Sequence, residues 1–248
     1  MPDDLGAFYP ADYYGLPDSR SAAIARDANA AHRVELVRRL VPRGRLVEVG
    51  PSIGAFVARA QDAGYETSAI EMDPECCRFI GDVLGVPVVN TTDPASALEG
   101  PYDAIVMWHV IEHLADPATF VARAAETLAP GGMLVLATPN PASLQARLLG
   151  SRWAHVDAPR HLGLMPREAL AAAGARHGLE VALSTTADAD ADAANGFGWR
   201  VSFGPDPYAY LPRRALRIAG HALSLAIAPV ERRDGRGSSY TLALRKPV

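Results

Sequence analysis

A chain of 248 residues, 49% hydrophobic and 21% charged, has apolar content enough for one large domain with a sizeable core. Its net charge of −4 gives no electrostatic footprint for nucleic acid, and its two cysteines, Cys76 and Cys77, are adjacent and build no disulfide framework. Met1-Pro2-Asp3-Asp4 lacks the basic-then-apolar order of an export signal, and the apolar stretch 211–230 is broken by Pro212, Arg213, Arg214, Arg217 and His221. A cytoplasmic protein without an integral membrane segment is therefore expected.

Residues 1–20 read as an irregular arm anchored by Tyr9, Tyr13 and Tyr14, and 21–41 as one helix with Val34, Val37, Leu40 and Val41 on a face, ended by Pro42 and Gly44. A short apolar strand follows over 45–50, then a tight turn and a helix from 54 to 63. The next units are a strand at 66–72, a helix opened by Asp73-Pro74, and a short strand at 86–89. A strand at 103–108, a helix opened by Asp116-Pro117, and a strand at 133–138 continue the rhythm. Residues 140–165 read as a connection, 166–178 as a helix and 179–186 as a strand. Ala187 to Asp192 is an acidic, solvated run. A helix near 212–228, whose Leu216, Ala219, Leu223 and Ile227 form a core or dimer stripe, precedes a last strand at 238–246.

Strands alternating with helices at this spacing imply an α/β fold with a doubly wound, mostly parallel seven-stranded sheet, an N-terminal helical arm and a late lid insertion. The corresponding divisions are 1–44 for the arm, 45–187 for the nucleotide-type core, 188–237 for the lid and 238–248 for the final strand. In such a sheet the ligand lies at the carboxyl ends of the strands.

The stretch from Glu48 to Gly54 carries the first chemistry. A glycine turn followed by a helix aims free N–H groups at an anion. Glu48 sits inside an apolar strand, and a buried carboxylate needs a partner. A ligand ammonium satisfies it; an ion pair with Arg45 or Arg78 is the structural alternative. Glu71 ends the second strand about 20 residues past Gly50, where a carboxylate grips a ribose diol. The ligand so described carries an amine, an anion and a ribose. His109, His113 and His161 are candidate bases for an acceptor hydroxyl, with His109 and His113 on one helical face. His109, Glu112 and His113 match no recognised metal helix, so no metal is expected. Trp153, Arg160 and the aromatics Phe197, Trp199, Phe203, Tyr208 and Tyr210 are candidates to line an acceptor pocket, or to pack a lid.

Glu48-Val49-Gly50-x-x-x-Gly54, Glu71, Tyr102-Asp103-Ala104-Ile105-Val106, Val110-Ile111-Glu112-His113-Leu114-x-Asp116-Pro117 and Gly131-Gly132-Met133 through Asn140 together resemble the class I S-adenosylmethionine-dependent methyltransferases over about residues 40–186. Trp153 with Pro159-Arg160-His161-Leu162 is similar to the subgroup of ubiquinone-pathway O-methyltransferases, with members in secondary or cell-surface metabolism. The resemblance implies S-adenosylmethionine as cofactor. Gly50 and Gly54 would shape the loop under its methionine portion, Glu48 would take its amino group, and Glu71 the ribose hydroxyls. Met72 and Asp73 would flank the adenine, Asp93 would reach the adenine amine, and Trp108 and His109 would line the cofactor. Ser52 stands where a third glycine is usual, and its hydroxyl would meet the carboxylate. The expected reaction is methyl transfer to a small-molecule acceptor, most simply a hydroxyl, by a chain that forms no nucleic-acid complex and is open to homodimerisation. N- or C-methylation, a nicotinamide-dependent oxidoreductase, and a non-catalytic cofactor-binding partner are the alternatives.

Overall fold

Alternate residues of a strand face opposite sides of its sheet, so a strand covered on both faces must be apolar throughout. The computed structural model, which describes residues 15–202 and 214–248, shows this for the central strands. The seven strands are β1 (Arg45–Val49), β2 (Glu66–Glu71), β3 (Val88–Asn90), β4 (Tyr102–Trp108), β5 (Leu128–Pro139), β6 (Glu180–Thr185) and β7 (Ser239–Arg245). Their order across the sheet is β3-β2-β1-β4-β5-β7-β6, and only β7 runs antiparallel to its neighbours. The expected doubly wound, mostly parallel sheet is present, and its strand order reverses between β1 and β4.

The helices cover both faces. Leu46, Ala104, Val106, Met133 and Val135 pack against α2 (Ala30–Leu40) and α3 (Ala55–Asp62). Val47, Ile105, Met107, Leu134 and Leu136 pack against α5 (Pro117–Thr127) and α7 (Arg167–Arg176). A third cluster joins α1 (Arg20–Arg26) and α3 to α4 (Pro74–Asp82). Among the described residues no helix is long and apolar enough to cross a membrane.

Four sequence expectations are corrected. The helix expected over 21–41 is two helices, because Asp27 is extended and its Oδ1 accepts the Asn29 N–H at 2.8 Å, turning the chain between α1 and α2. The connection after β5 contains a helix, α6 (Leu144–Leu149), capped by Ser143 through the Ala146 N–H. β5 begins at Leu128 rather than 133, since Leu128 pairs with Tyr102 before the register slips. The acidic run is not a solvated loop. It opens α8 (Ala189–Val201), with Asp188 accepting the Ala191 N–H as N-cap and Asp190 buried. The late helix α9 spans Arg214–Glu231 and packs beside α8; Ala219 of the expected stripe is exposed, while Leu223 and Ile227 are partly covered. Tyr9, Tyr13, Tyr14, Phe203, Tyr208 and Tyr210, and the side chain of Leu216, lie outside the described residues.

Candidate active site

The turn after β1 is built by residues that lack, or bend away, a Cβ. Gly50 and Gly54 have φ of +67° and +72°, and a Cβ on Gly50 would stand 2.5 Å from Val110 Cγ2. The Gly50 N–H donates to Ile70 O at 2.8 Å, stitching the turn to the end of β2. Ser52 is also left-handed, at φ +55°. Such backbone costs a serine about 1 kcal/mol that a glycine avoids. Ser52→Gly is expected to raise the thermal midpoint by about 1–2 °C, relief of strain slightly exceeding the entropy that glycine adds to the unfolded chain; a calorimetric scan showing a lower midpoint would assign the hydroxyl a stabilising contact.

Glu71 latches this turn. Its Oε2 accepts the Ser52 N–H at 3.0 Å, and its Oε1 accepts those of Met72 and Asp73 at 2.8 and 2.9 Å. It is 3% exposed. Burial pushes its carboxyl up, and the Asp73, Ser52 and Met72 amides oppose that rise. Asn90, which sequence reasoning missed, donates from Nδ2 to the carbonyls of Glu71 and Met72 and fixes this strand end.

Glu48 is also 3% exposed, and its Oε2 finds no hydrogen-bond partner among the described residues. Burial pushes its carboxyl up to about 8, with Arg33 the leading opposing influence. Neither Arg45 nor Arg78 serves it. Arg45 reaches the Gly100 and Pro101 carbonyls and Glu66, and Arg78 pairs with Glu75.

Arg33 is the principal site residue absent from the sequence reading. It projects from α2, lies with its guanidinium carbon 5.0 Å from the Trp108 ring centroid, and pairs with Asp27 at 2.9 Å and Asp190 at 2.5 Å. Trp108 leans on Phe56, with ring centroids 5.3 Å apart, and its buried Nε1 has no partner among the described residues. Two unpartnered buried polar atoms beside a cation and a glycine turn fit a ligand bearing ammonium, carboxylate and ribose groups. Glu48, Arg33, the 50–54 turn and Glu71 would hold it.

The peripheral cofactor residues are placed less simply. Met72 is exposed just past β2, and Asp73 accepts the Glu75 and Cys76 N–H groups as N-cap of α4. Asp93 is exposed beyond β3, and its Oδ1 accepts the Ser96 N–H.

The histidines converge on one carboxylate. They do not share a helical face: only Ile111–His113 form a short 3₁₀ turn, and His109 precedes it with φ +58°, its N–H donating to Ala137 O at 2.8 Å. Glu112 lies between them. Its Oε2 accepts the Thr138 hydroxyl at 2.9 Å, while Oε1 stands 3.7 Å from His109 Nδ1 and 4.0 Å from His161 Nε2. Burial alone would push the Glu112 carboxyl up; the imidazoles of His109, His113 and His161 hold it below the usual carboxylate range.

His161 and His113 meet edge to face, with centroids 4.8 Å apart. Their Nδ1 atoms face the backbone carbonyls of His155 at 2.7 Å and Arg160 at 2.9 Å. Glu112, His113 and His161 each bring one donor atom within 4.8 Å of the others. Trp153 is buried against His155, whose ring meets Phe197 at 5.5 Å, and Arg160 pairs with Asp157 at 2.7 Å.

A family model described as a methyltransferase domain matches residues 22–184. Curated relatives named ubiquinone biosynthesis O-methyltransferase are similar to this chain. That of Caulobacter sp. (strain K31) is 46% identical over 143 residues, 55% of this chain and 54% of that one. That of Parvibaculum lavamentivorans is 31% identical over 169 residues, 66% and 62% of the two chains. That of Xanthomonas axonopodis pv. citri is 30% identical over 132 residues, 49% and 55%. The matched stretch spans little more than half the length of these relatives. Among solved structures, an S-adenosylmethionine-dependent methyltransferase from Archaeoglobus fulgidus shares the fold with a TM-score of 0.59 at 18% identity, covering 97% of this chain and 99% of that one. The CcbJ methyltransferase of Streptomyces caelestis does so with a TM-score of 0.60 at 14% identity, covering 96% of each. Family match and fold agree: the chain belongs to the methyltransferase-domain family.

Proposed function

We propose that this protein transfers the methyl group of S-adenosylmethionine to a hydroxyl of a small cytoplasmic metabolite. The observation that carries the reading is the buried Glu48 oxygen left without a partner beside Arg33, at the mouth of a turn latched by Glu71. When bound, the cofactor supplies an electrophilic methyl group. The chain's part is to hold both ends of the cofactor, align the acceptor and take a proton from it. The histidine cluster around Glu112 favours hydroxyl acceptors, which must lose a proton near the moment of attack, over amines, which need little such help. The curated relatives, named for O-methylation in ubiquinone biosynthesis, support the same direction.

The test is calorimetry with S-adenosylhomocysteine, followed by mass spectrometry on a panel of phenols, alcohols and amines. Glu71→Ala removes the ribose partner and unlatches the turn. It is expected to weaken S-adenosylhomocysteine at least tenfold, about 1.4 kcal/mol or more, in a chain that still melts cooperatively. Absence of binding by the unmutated chain overturns the reading. Methylation confined to amines replaces the acceptor class.

A further inference from the structure

Resting on that reading, we propose that Glu112 is a positioning residue that holds His109 as the base for the acceptor hydroxyl, with Thr138 deciding which carboxylate oxygen it presents. Thr138 is fully buried on β5 and donates to Oε2. Oε1 is left facing the histidines, and it has no hydrogen-bond partner among the described residues. A carboxylate buried with one oxygen unclaimed is costly unless it serves a cation or a polarised N–H.

His109 is the histidine that can meet an acceptor. Its side chain is 31% exposed, against 10% for His161. It directly precedes Val110, whose methyl groups crowd Gly50 of the cofactor turn. With Nδ1 turned to Glu112, Nε2 is the ring nitrogen left for the acceptor. His161, by contrast, has Nδ1 committed to the His155 carbonyl and meets His113 edge to face. The left-handed backbone at His109 is held by its N–H bond to β5, so the ring is aimed by strained but well-anchored chain. The 3.7 Å separation is an ion-pair distance, of the kind that tightens when substrate completes a site.

In the step so arranged, the acceptor O–H proton passes to His109 Nε2 while the oxygen lone pair forms the new O–CH₃ bond. The S–CH₃ bond breaks with its electron pair remaining on sulfur, and the proton then leaves the imidazolium for solvent. Glu112 stabilises that imidazolium and keeps the neutral ring in its Nδ1–H form. The other ionisable groups facing Glu112 are His113, His161 and Tyr240, with His155 and Asp157 behind His161.

Long-range proton–nitrogen NMR of the full chain without cofactor reads the tautomer directly, above the imidazole titration. The expected result is His109 as Nδ1–H in the unmutated chain, and a change to predominantly Nε2–H in Glu112→Met, which removes both oxygens at similar volume. S-adenosylhomocysteine affinity should stay within threefold in that variant. His109 found as Nε2–H in the unmutated chain overturns the proposal without need of any variant, and so does an unchanged tautomer in Glu112→Met. Zinc is added as a separate probe: one tightly bound ion shifting His113 and His161 resonances also overturns it, because Glu112 is then a ligand. Loss of S-adenosylhomocysteine binding by the unmutated chain would instead sink the cofactor reading and leave the tautomer result standing.

Discussion

Binding of S-adenosylhomocysteine at pH 7 is expected to release close to one proton, and Glu48→Gln to abolish that release. With its carboxyl pushed up to about 8, Glu48 is protonated in about nine-tenths of free molecules at that pH. An incoming ammonium stabilises the carboxylate, so the proton leaves as the ligand arrives. Titrations in buffers of different ionisation enthalpy measure it: the apparent binding enthalpy should vary with a slope of about 0.9 proton for the native chain and near zero for Glu48→Gln. The variant should bind at least tenfold more weakly, about 1.4 kcal/mol. A buffer-independent enthalpy in the native chain would show that the amino group is met elsewhere.

The same carboxyl governs stability without ligand. Its folded value lies above the unfolded one, so its contribution is fully present below about pH 4.5 and is lost as pH rises through 8. The ligand-free chain should therefore weaken across that window by a few kcal/mol, and Glu48→Gln should flatten the decline.

The second large effect concerns Arg33. Arg33→Ala strands Asp190, which is 2% exposed, and uncovers Trp108. Removing one member of a buried ion pair costs about 3–5 kcal/mol. The midpoint of urea unfolding should fall accordingly, with the slope unchanged. Arg33→Ala combined with Asp190→Ala should cost less than the sum of the two, because neither charge is then left alone. Arg33→Lys should recover little, since one ammonium cannot serve Asp27 and Asp190 in the forked geometry seen here. Strict additivity in the double variant would deny that the pair acts as a unit.

The parts of the site that were legible in the sequence are those whose reason is local. The turn after β1 needs glycines at fixed places. Asp73 and Asp116 precede prolines and cap helices through amides two or three residues on. Glu71 ends a strand at a fixed distance from the turn. What escaped depends on partners far along the chain. Nothing in the neighbourhood of Arg33 announces Asp190, and without that partner the acidic run around 190 reads as solvated. The sequence offers Glu112 only as part of a dismissed metal trio with His109 and His113, because Thr138 and His161 reach it only through the sheet order. The break between α1 and α2 was hidden by alanine-rich flanks that outweighed one turn-forming Asp and Asn.

One feature of the topology reaches beyond this molecule's own chemistry. β6 and β7 are adjacent and antiparallel, yet everything from Thr186 to Ser238, α8 and α9 included, is strung between them. Both feet of that excursion stand side by side on a finished platform. Lengthening such a connection twofold costs only about 0.6 kcal/mol in closure entropy. The segment is thus where chain length can change most cheaply, on the condition that α8 keeps Asp190 against Arg33, because that ion pair ties the excursion back to α2 and Trp108.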